Sequence, residues 1–364
     1  IPTVGLTTDS GTLNDDVITN DAALSFSEAA SDVNRTYSID GAAATTEYTA
    51  PTVNGGYTVT VTDTDTAGNV KTASTTFTLD TTLAIPTVGL TTDSGTLNDD
   101  VITNDAALSF SEAASDVNRT YSIDGAAATT EYTAPTVDGE YTVTVTDTDT
   151  AGNIKTASTT FTLDTTVAMP SITLDNDSGA SASDSITNDA SALTVSAAAA
   201  DVTRVYSIDG AAATTEYSAP TVDGEYTVTV TDTDTAGNVK TASTSFTLDT
   251  TLAIPTVGLT TDSGTLNDDV ITNDAALSFS EAASDVNRTY SIDGAAATTE
   301  YSAPTVDGEY TVTVTDTDIA GNVKTASTTF TLDTTLAIPT VGLTTDSGTL
   351  NDDVITNDAA LSFS

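Results

Sequence analysis

The chain has 364 residues, with 53 acidic against 8 basic side chains, a formal net charge of −45, and no Cys, His or Trp. Zinc and iron–sulfur sites, disulfides and Ser/His or Cys/His catalysis therefore have no ligands or bases to work with. There is no basic patch for nucleic acid or an anionic membrane surface, and no apolar run of about 18 residues to cross a bilayer.

Of the acids, 43 are Asp and 10 are Glu. Asp favours turns and loops, whereas a solvated helical face favours Glu. The apolar residues alternate with polar ones, which points to strands and not to disorder. The expected class is all-β with carboxylate-rich loops.

Internal repeats organise the chain. The segment Ile1, Pro2, Thr3, Val4, Gly5, Leu6 returns at Ile85, Ile254 and Ile338, and a divergent copy begins at Met169. The starts are spaced by 84, 84, 85 and 84 residues. The expected domains are 1–84, 85–168, 169–253 and 254–337, followed by 338–364 as the truncated start of a fifth repeat in a longer array. A period of 84 residues suits a small sandwich domain better than a solenoid turn.

Within the first repeat, Val4 and Leu6 share one face of a first strand, and Leu24 and Phe26 alternate with Ser in the next. Arg35, Tyr37 and Ile39 mark a third. A short strand is expected over residues 42–46 and another through Tyr48. Tyr57, Val59 and Val61 alternate with Thr58, Thr60 and Thr62, and Thr75, Phe77 and Leu79 mark the last strand. Turn signals separate the strands at Asp9 to Gly11, Asp40–Gly41, Asn54–Gly55 and Ala67 to Asn69. Seven short strands at this spacing predict an Ig-like β-sandwich, repeated in tandem and arranged end to end as a rod. Tyr57, Tyr141, Tyr226 and Tyr310 each follow a turn and open a strand, as a tyrosine corner does.

The motifs Asp63, Asp65, Ala67, Gly68, Asn69 and Phe77, Leu79, Asp80, Thr81, Thr82, together with Tyr57 to Val61, carry a resemblance. The chain resembles the bacterial Ig-like extender repeats of giant Bap-like and RTX-type biofilm adhesins exported by type I secretion. The resemblance covers the whole chain. It implies a long extender stalk, calcium at the domain junctions, and a place outside the cell or on the bacterial surface. Members of that family often carry a Trp near the end of the third strand, where this chain has Ala42, Ala43 and Ala44.

Strand order places the carboxylates. With the first strand running downward, the top of a repeat receives Asp32, Asp63 and Asp65, and the bottom receives Asp9, Asp15, Asp16, Asp21 and Asp80. If the bottom of one repeat faces the top of the next, Asp80 should meet Asp116, Asp147 and Asp149. Asp164 should then meet Asp201, Asp232 and Asp234, and Asp249 should meet Asp285, Asp316 and Asp318, with Asp333 ending the fourth repeat. Four acids converging without Arg or Lys repel unless a cation lies between them, and calcium takes six to eight oxygen ligands. These sets, with Asp63 and Asp65, are the expected calcium ligands. A second tier comprises Asp9, Asp16, Asp21, Asp93, Asp100, Asp105, Asp177, Asp184, Asp189, Asp262, Asp269 and Asp274. Asp15 ranks lowest, because the divergent copy replaces it with Ser183. The run from Asp63 to Gly68 imitates the start of an EF-hand loop, but its twelfth position is Ser74, not Glu.

The expected function is therefore a structural extender of a large secreted or surface-attached adhesin, stiffened by Ca2+, that supports adhesion and biofilm formation. Its partners are calcium ions and neighbouring repeats, with identical chains laterally as a further option. Alternatives are a self-associating matrix or filament protein, and a carbohydrate- or ice-binding module using the Thr58, Thr60, Thr62 face. Near-identical copies without cleft-forming insertions or aromatic subsites argue against an enzyme.

Overall fold

The computed structural model describes residues 1–364 except positions 348, 351 and 353. Strands, turns and bends make up the described residues, with no helix among them. The first repeat contains β1 (Val4–Leu6), β2 (Ile18–Thr19), β3 (Leu24–Phe26), β4 (Val33–Ile39), β5 (Gly55–Asp65) and β6 (Val70–Leu79). β1 pairs antiparallel with β3 in a two-stranded sheet, which faces a four-stranded sheet of order β2-β6-β5-β4. The same two-sheet pattern returns in the second, third and fourth repeats.

Alternation along β5 fills the space between the sheets. Val59 and Val61 are fully buried, while Thr58 and Thr60 turn outward. Val59, Phe77 and Leu79 form the centre of the core with Ala22. Leu6 and Leu24 close it from the smaller sheet, and Ile39, Tyr48 and Tyr57 surround it. Phe26 packs edge-on against Tyr37 and Tyr48, with ring centroids 4.8 and 5.5 Å apart. The Tyr57 hydroxyl donates to the Val53 carbonyl at 2.6 Å, the tie expected of a tyrosine corner.

The strand list differs from the sequence expectation in two places. Residues 42–46 contribute a single bridge, Tyr37 to Thr45, and no strand forms through Tyr48. The Tyr48 side chain crosses the sandwich instead and donates to the Ala22 carbonyl at 2.7 Å. In their place β2 runs parallel to β6, pairing Ile18 with Thr78 and Thr19 with Leu79.

Contacts along the chain gather into two compact units. The first is Ile1–Pro170 with Ala197–Val205 and Thr231–Thr241; the second is Ser171–Ser196 with Tyr206–Val230 and Ala242–Ser364. The division passes through the third repeat. Within the second unit, Val341–Leu343 pairs with Leu361–Phe363, and both strands are largely exposed.

Candidate cation site at the repeat junctions

The long hairpin of β5 and β6 sets the acidic residues in place. Asp63 lies directly across from Arg35 on β4 and Lys71 on β6. Residues two apart on a strand point to the same face, so Asp63 and Asp65 do so too. The chain then turns at Gly68 and returns through Asn69. Asp65 organises that turn, accepting from the Ala67 and Asn69 amides at 2.9 and 2.8 Å and from Asn69 Nδ2 at 2.7 Å. These donors hold its carboxyl below the ordinary carboxylate range, the Asn69 side chain contributing most.

Every upper acidic set contains a cation of its own. Arg119 binds Asp147 through Nε–Oδ1 and Nη2–Oδ2, both at 2.7 Å. Arg35 with Asp63, Arg204 with Asp232, and Arg288 with Asp316 repeat the pair at 2.6–2.7 Å. This corrects the expectation that these acids converge without Arg or Lys. The Arg35 guanidinium holds Asp63 below its usual range, chiefly through their hydrogen bonds. Arg119, on the Val117–Ile123 strand, also donates to the carbonyl of Ser111, the residue that follows the Leu108–Phe110 strand.

In the first unit, the linker between the first two repeats covers a cavity of about 180 Å³. Residues 82–86 line one side, and Glu112, Asp116, Asp147 and Asp149 line the other. Asp147 and Asp149 are 4% and 2% exposed, whereas Glu112 and Asp116 lie toward solvent. The second unit holds a matching cavity of about 250 Å³, with linker residues 251–255 opposite Glu281, Asp285, Asp316 and Asp318. Asp232 and Asp234, the equivalent pair in the first unit, are each 3% exposed, and Asp201 is exposed.

Thus the three upper Asp residues of a set do share a cavity with the preceding linker. The linker acid is placed differently. Asp80 turns its Oδ1 to the Thr82 amide at 3.0 Å and to Asn54 Nδ2 at 2.7 Å, capping its own linker. Its backbone carbonyl, not its carboxylate, meets the next repeat, accepting from Asn153 Nδ2 at 2.9 Å. Asp164, Asp249 and Asp333 likewise cap Thr166, Thr251 and Thr335. Asp138, Asp223 and Asp307 add to these linker caps, each held below the ordinary range first by a hydrogen bond from the following Thr165, Thr250 or Thr334.

The second tier sits in the lower loops and is mostly occupied by backbone. Asp16, Asp100, Asp184 and Asp269 accept from Ile18, Ile102, Ile186 and Ile271. Asp21, Asp105, Asp189 and Asp274 cap the residue two positions on. Asp9, Asp93, Asp177 and Asp262 differ. One oxygen accepts the amide of Val17, Val101, Ser185 or Val270, and the other is buried with no hydrogen-bond partner. Among the described residues no three or more acidic side chains stand close enough together to hold a metal by themselves.

The cavity donors are all oxygens, which suits a hard cation such as calcium or magnesium. Around the first cavity, four carboxylates stand against the single guanidinium of Arg119. The net negative charge of the lining fits a cation. The orphaned Asp9 oxygen marks a second place where an oxygen-seeking ion or a water would satisfy a buried group.

Two-layer β-sandwiches repeated in tandem, each with a two-stranded and a four-stranded sheet and acidic junction loops, define an Ig-like repeat protein. The family model described as bacterial Ig-like domain matches residues 82–165, 166–250 and 251–334, more than two thirds of the chain. The chain belongs to that family. The matched segments begin three residues ahead of the repeat starts at Ile85, Met169 and Ile254. Among solved structures, the chain is similar to a tetra-tandem repeat from the extending region of a large adhesion protein, at 22% identity and TM-score 0.33, covering 92% of this chain and 99% of that one. It is also similar to a Ca2+-stabilized adhesin with which an Antarctic bacterium reaches out and binds ice, at 21% identity and TM-score 0.29, covering 91% and 98%. A third is a protocadherin gamma B2 fragment of extracellular cadherin domains 3–6, at 13% identity and TM-score 0.24, covering 91% and 99%. Among curated proteins none matches the chain.

Proposed function

We propose that this chain is a structural extender of a large secreted or surface-attached bacterial adhesin, with calcium bracing the linkers between repeats. The observation that carries the reading is the recurring junction cavity, in which Asp116, Asp147 and Asp149 face linker residues 82–86 and Asp285, Asp316 and Asp318 face residues 251–255. A net-negative cavity that recurs where a linker meets the next repeat is suited to holding joints.

In this reading Asp116 and Glu112 supply the free carboxylates, Asp149 a buried one, and the linker carbonyls the remaining oxygens. Asp147 stays with Arg119. Calcium modules outside cells bind with dissociation constants of about 10⁻⁴–10⁻³ M, so such joints fill outside the cell and empty inside it. The role is non-enzymatic, and adhesion and biofilm support belong to the longer protein that this array would extend.

The outward threonines favour the extender over a ligand-binding face. Thr142 and Thr160 hydroxyls pair at 3.0 Å, as do Thr144 and Ser158, so these groups satisfy one another across the strands.

Small-angle scattering of residues 1–364 tests the reading. At ~3.3 Å per strand residue, four sandwiches and their linkers give a maximum dimension on the order of 150–180 Å. A particle of that length in millimolar calcium is the expected result. A compact particle or a lateral dimer would overturn it and favour the self-associating alternative.

A further inference from the structure

The junctions carry a second set of contacts, beside the acidic cavity and linked to it through Asn153, whose Nδ2 also donates to Asp149. In the first unit, Ser10 Oγ of the first repeat donates to the Ala151 carbonyl of the second at 2.5 Å, and Ser94 Oγ donates to the Ala236 carbonyl at 2.5 Å. In the second unit, Ser178 Oγ donates to the Ala320 carbonyl at the same distance. The backbones beside these bonds approach very closely. A Cβ on Gly11 would fall 1.9 Å from the Thr150 oxygen, and one on Gly152 would fall 2.7 Å from the Gly11 nitrogen. Gly95 meets Thr235 at 2.0 Å and Gly179 meets Ile319 at 1.9 Å in the same sense. The bond from Asn153 Nδ2 to the Asp80 carbonyl completes the contact, and Asn238 to Asp164 and Asn322 to Asp249 repeat it at 2.8 Å.

Copies of the same loops outside these contacts show what the contacts do. Ala151, Ala236 and Ala320 are 0–1% exposed, whereas Ala67, in the same loop of the first repeat, is exposed. Asp149, Asp234 and Asp318 are buried, whereas Asp65 is only half-buried. The Ser263 hydroxyl donates instead to Asn273 Oδ1 at 2.9 Å, and a Cβ on Gly264 would meet only the Leu266 oxygen, at 3.9 Å. Every group in the contact is neutral: hydroxyl, amide, peptide carbonyl and bare Cα.

We propose that consecutive repeats are joined by this neutral Ser–Gly against Ala–Gly–Asn clamp, and that the clamp, and not a bound cation, sets their relative orientation. The interaction surface is the turn that Asp149 organises, and its partner is the Ser–Gly loop of another repeat of this kind. Glycine is required on both sides, because any side chain would hold the two backbones apart. The cation cavity then stabilises the linker of a joint whose direction is already fixed. The clamp stands or falls separately from the calcium reading.

The chain has no Cys, so Val53→Cys with Val137→Cys places one spin-label pair across the first junction, both positions being 70% exposed. The expected result in EDTA is a single narrow distance distribution that millimolar calcium leaves in place. Gly152→Ala should shift and broaden it. Gly68→Ala should not, although Gly68 has nearly the same φ, +86° against +85°, because nothing lies within 4 Å of its added Cβ. The pair thus separates backbone strain from loss of the clamp. Gly11→Ala against Gly264→Ala repeats the comparison from the other side, should Gly152→Ala disturb its own sandwich. A broad distribution in EDTA that narrows with calcium would overturn the clamp while leaving the calcium reading intact. Equal behaviour of the variant and its control would overturn it as well.

Discussion

Arg119 grips Asp147, a residue that lines the junction cavity, across adjacent strands through two hydrogen bonds of 2.7 Å. Asp147 is only 4% exposed and lies against that guanidinium. Arg119→Met therefore leaves a buried carboxylate unpaired, and breaking such a pair costs about 3–5 kcal/mol. Calorimetry of the full chain should show the transition of the second repeat falling well below those of its neighbours. Replacing both partners with apolar residues should recover much of the loss. An unchanged thermogram for Arg119→Met would contradict the assignment.

Acid should weaken the linker caps in a recognisable way. The Asp138 carboxyl sits below its unfolded value because Thr165 and Thr166 donate to it. Its stabilising contribution is complete above the ordinary carboxylate range and is lost as pH falls through the lower, folded value. Protonation elsewhere on so acidic a chain relieves repulsion, so the bare melting curve mixes two effects. Comparing the wild type with Asp138→Ala isolates the cap. The wild-type advantage should be constant near neutral pH, begin to fall near about pH 4 and vanish at lower pH still. An advantage independent of pH would contradict it.

Tyr132 offers the opposite case at high pH. Burial, with a smaller effect of Asp105, pushes its hydroxyl up to about 12. Tyr48 and Tyr301 are pushed up to about 12 for the same reasons. The raised value makes this contribution complete below the ordinary tyrosine range and lost as pH rises through the folded one. Ultraviolet titration should show a group of tyrosines ionising near pH 12, together with the onset of unfolding. Tyr132→Phe removes the 2.7 Å bond to the Ala106 carbonyl and should cost about 0.5–1.5 kcal/mol. A single titration step near pH 10 for all tyrosines would refute this placement.

Most of the sandwich can be read from side-chain alternation. Tyr57, Val59 and Val61 announce both the strand and its buried face, because a half-buried strand imposes period two on its residues. β2 leaves no such mark. It is two residues long, follows Val17 in the left-handed region at φ 55°, and owes its place to pairing with residues 60 positions later in the chain. Tyr48 looked like a strand residue because an aromatic suits a pleated surface, whereas its hydroxyl is committed to the Ala22 carbonyl. The meeting of Asp116, Asp147 and Asp149 with a linker follows from strand direction alone. The Arg119–Asp147 pair does not, since it depends on a register between strands 28 residues apart. The clamp was hidden for a related reason. Gly11 and Gly152 each read as an ordinary turn glycine, and only the folded junction brings the two backbones together.

The most direct test of the calcium-braced extender is the melting temperature of residues 1–364 in EDTA and in 10 mM calcium. Ten- to hundredfold occupancy over the dissociation constant adds about 1.4–2.7 kcal/mol per site, which is roughly 5–20 °C for a domain of this size. The account predicts a rise of that order, and predicts its loss when Glu112→Gln and Asp116→Asn are introduced with the corresponding changes in the other repeats. Identical melting curves with and without calcium would contradict it, leaving the junction carboxylates as surface charge.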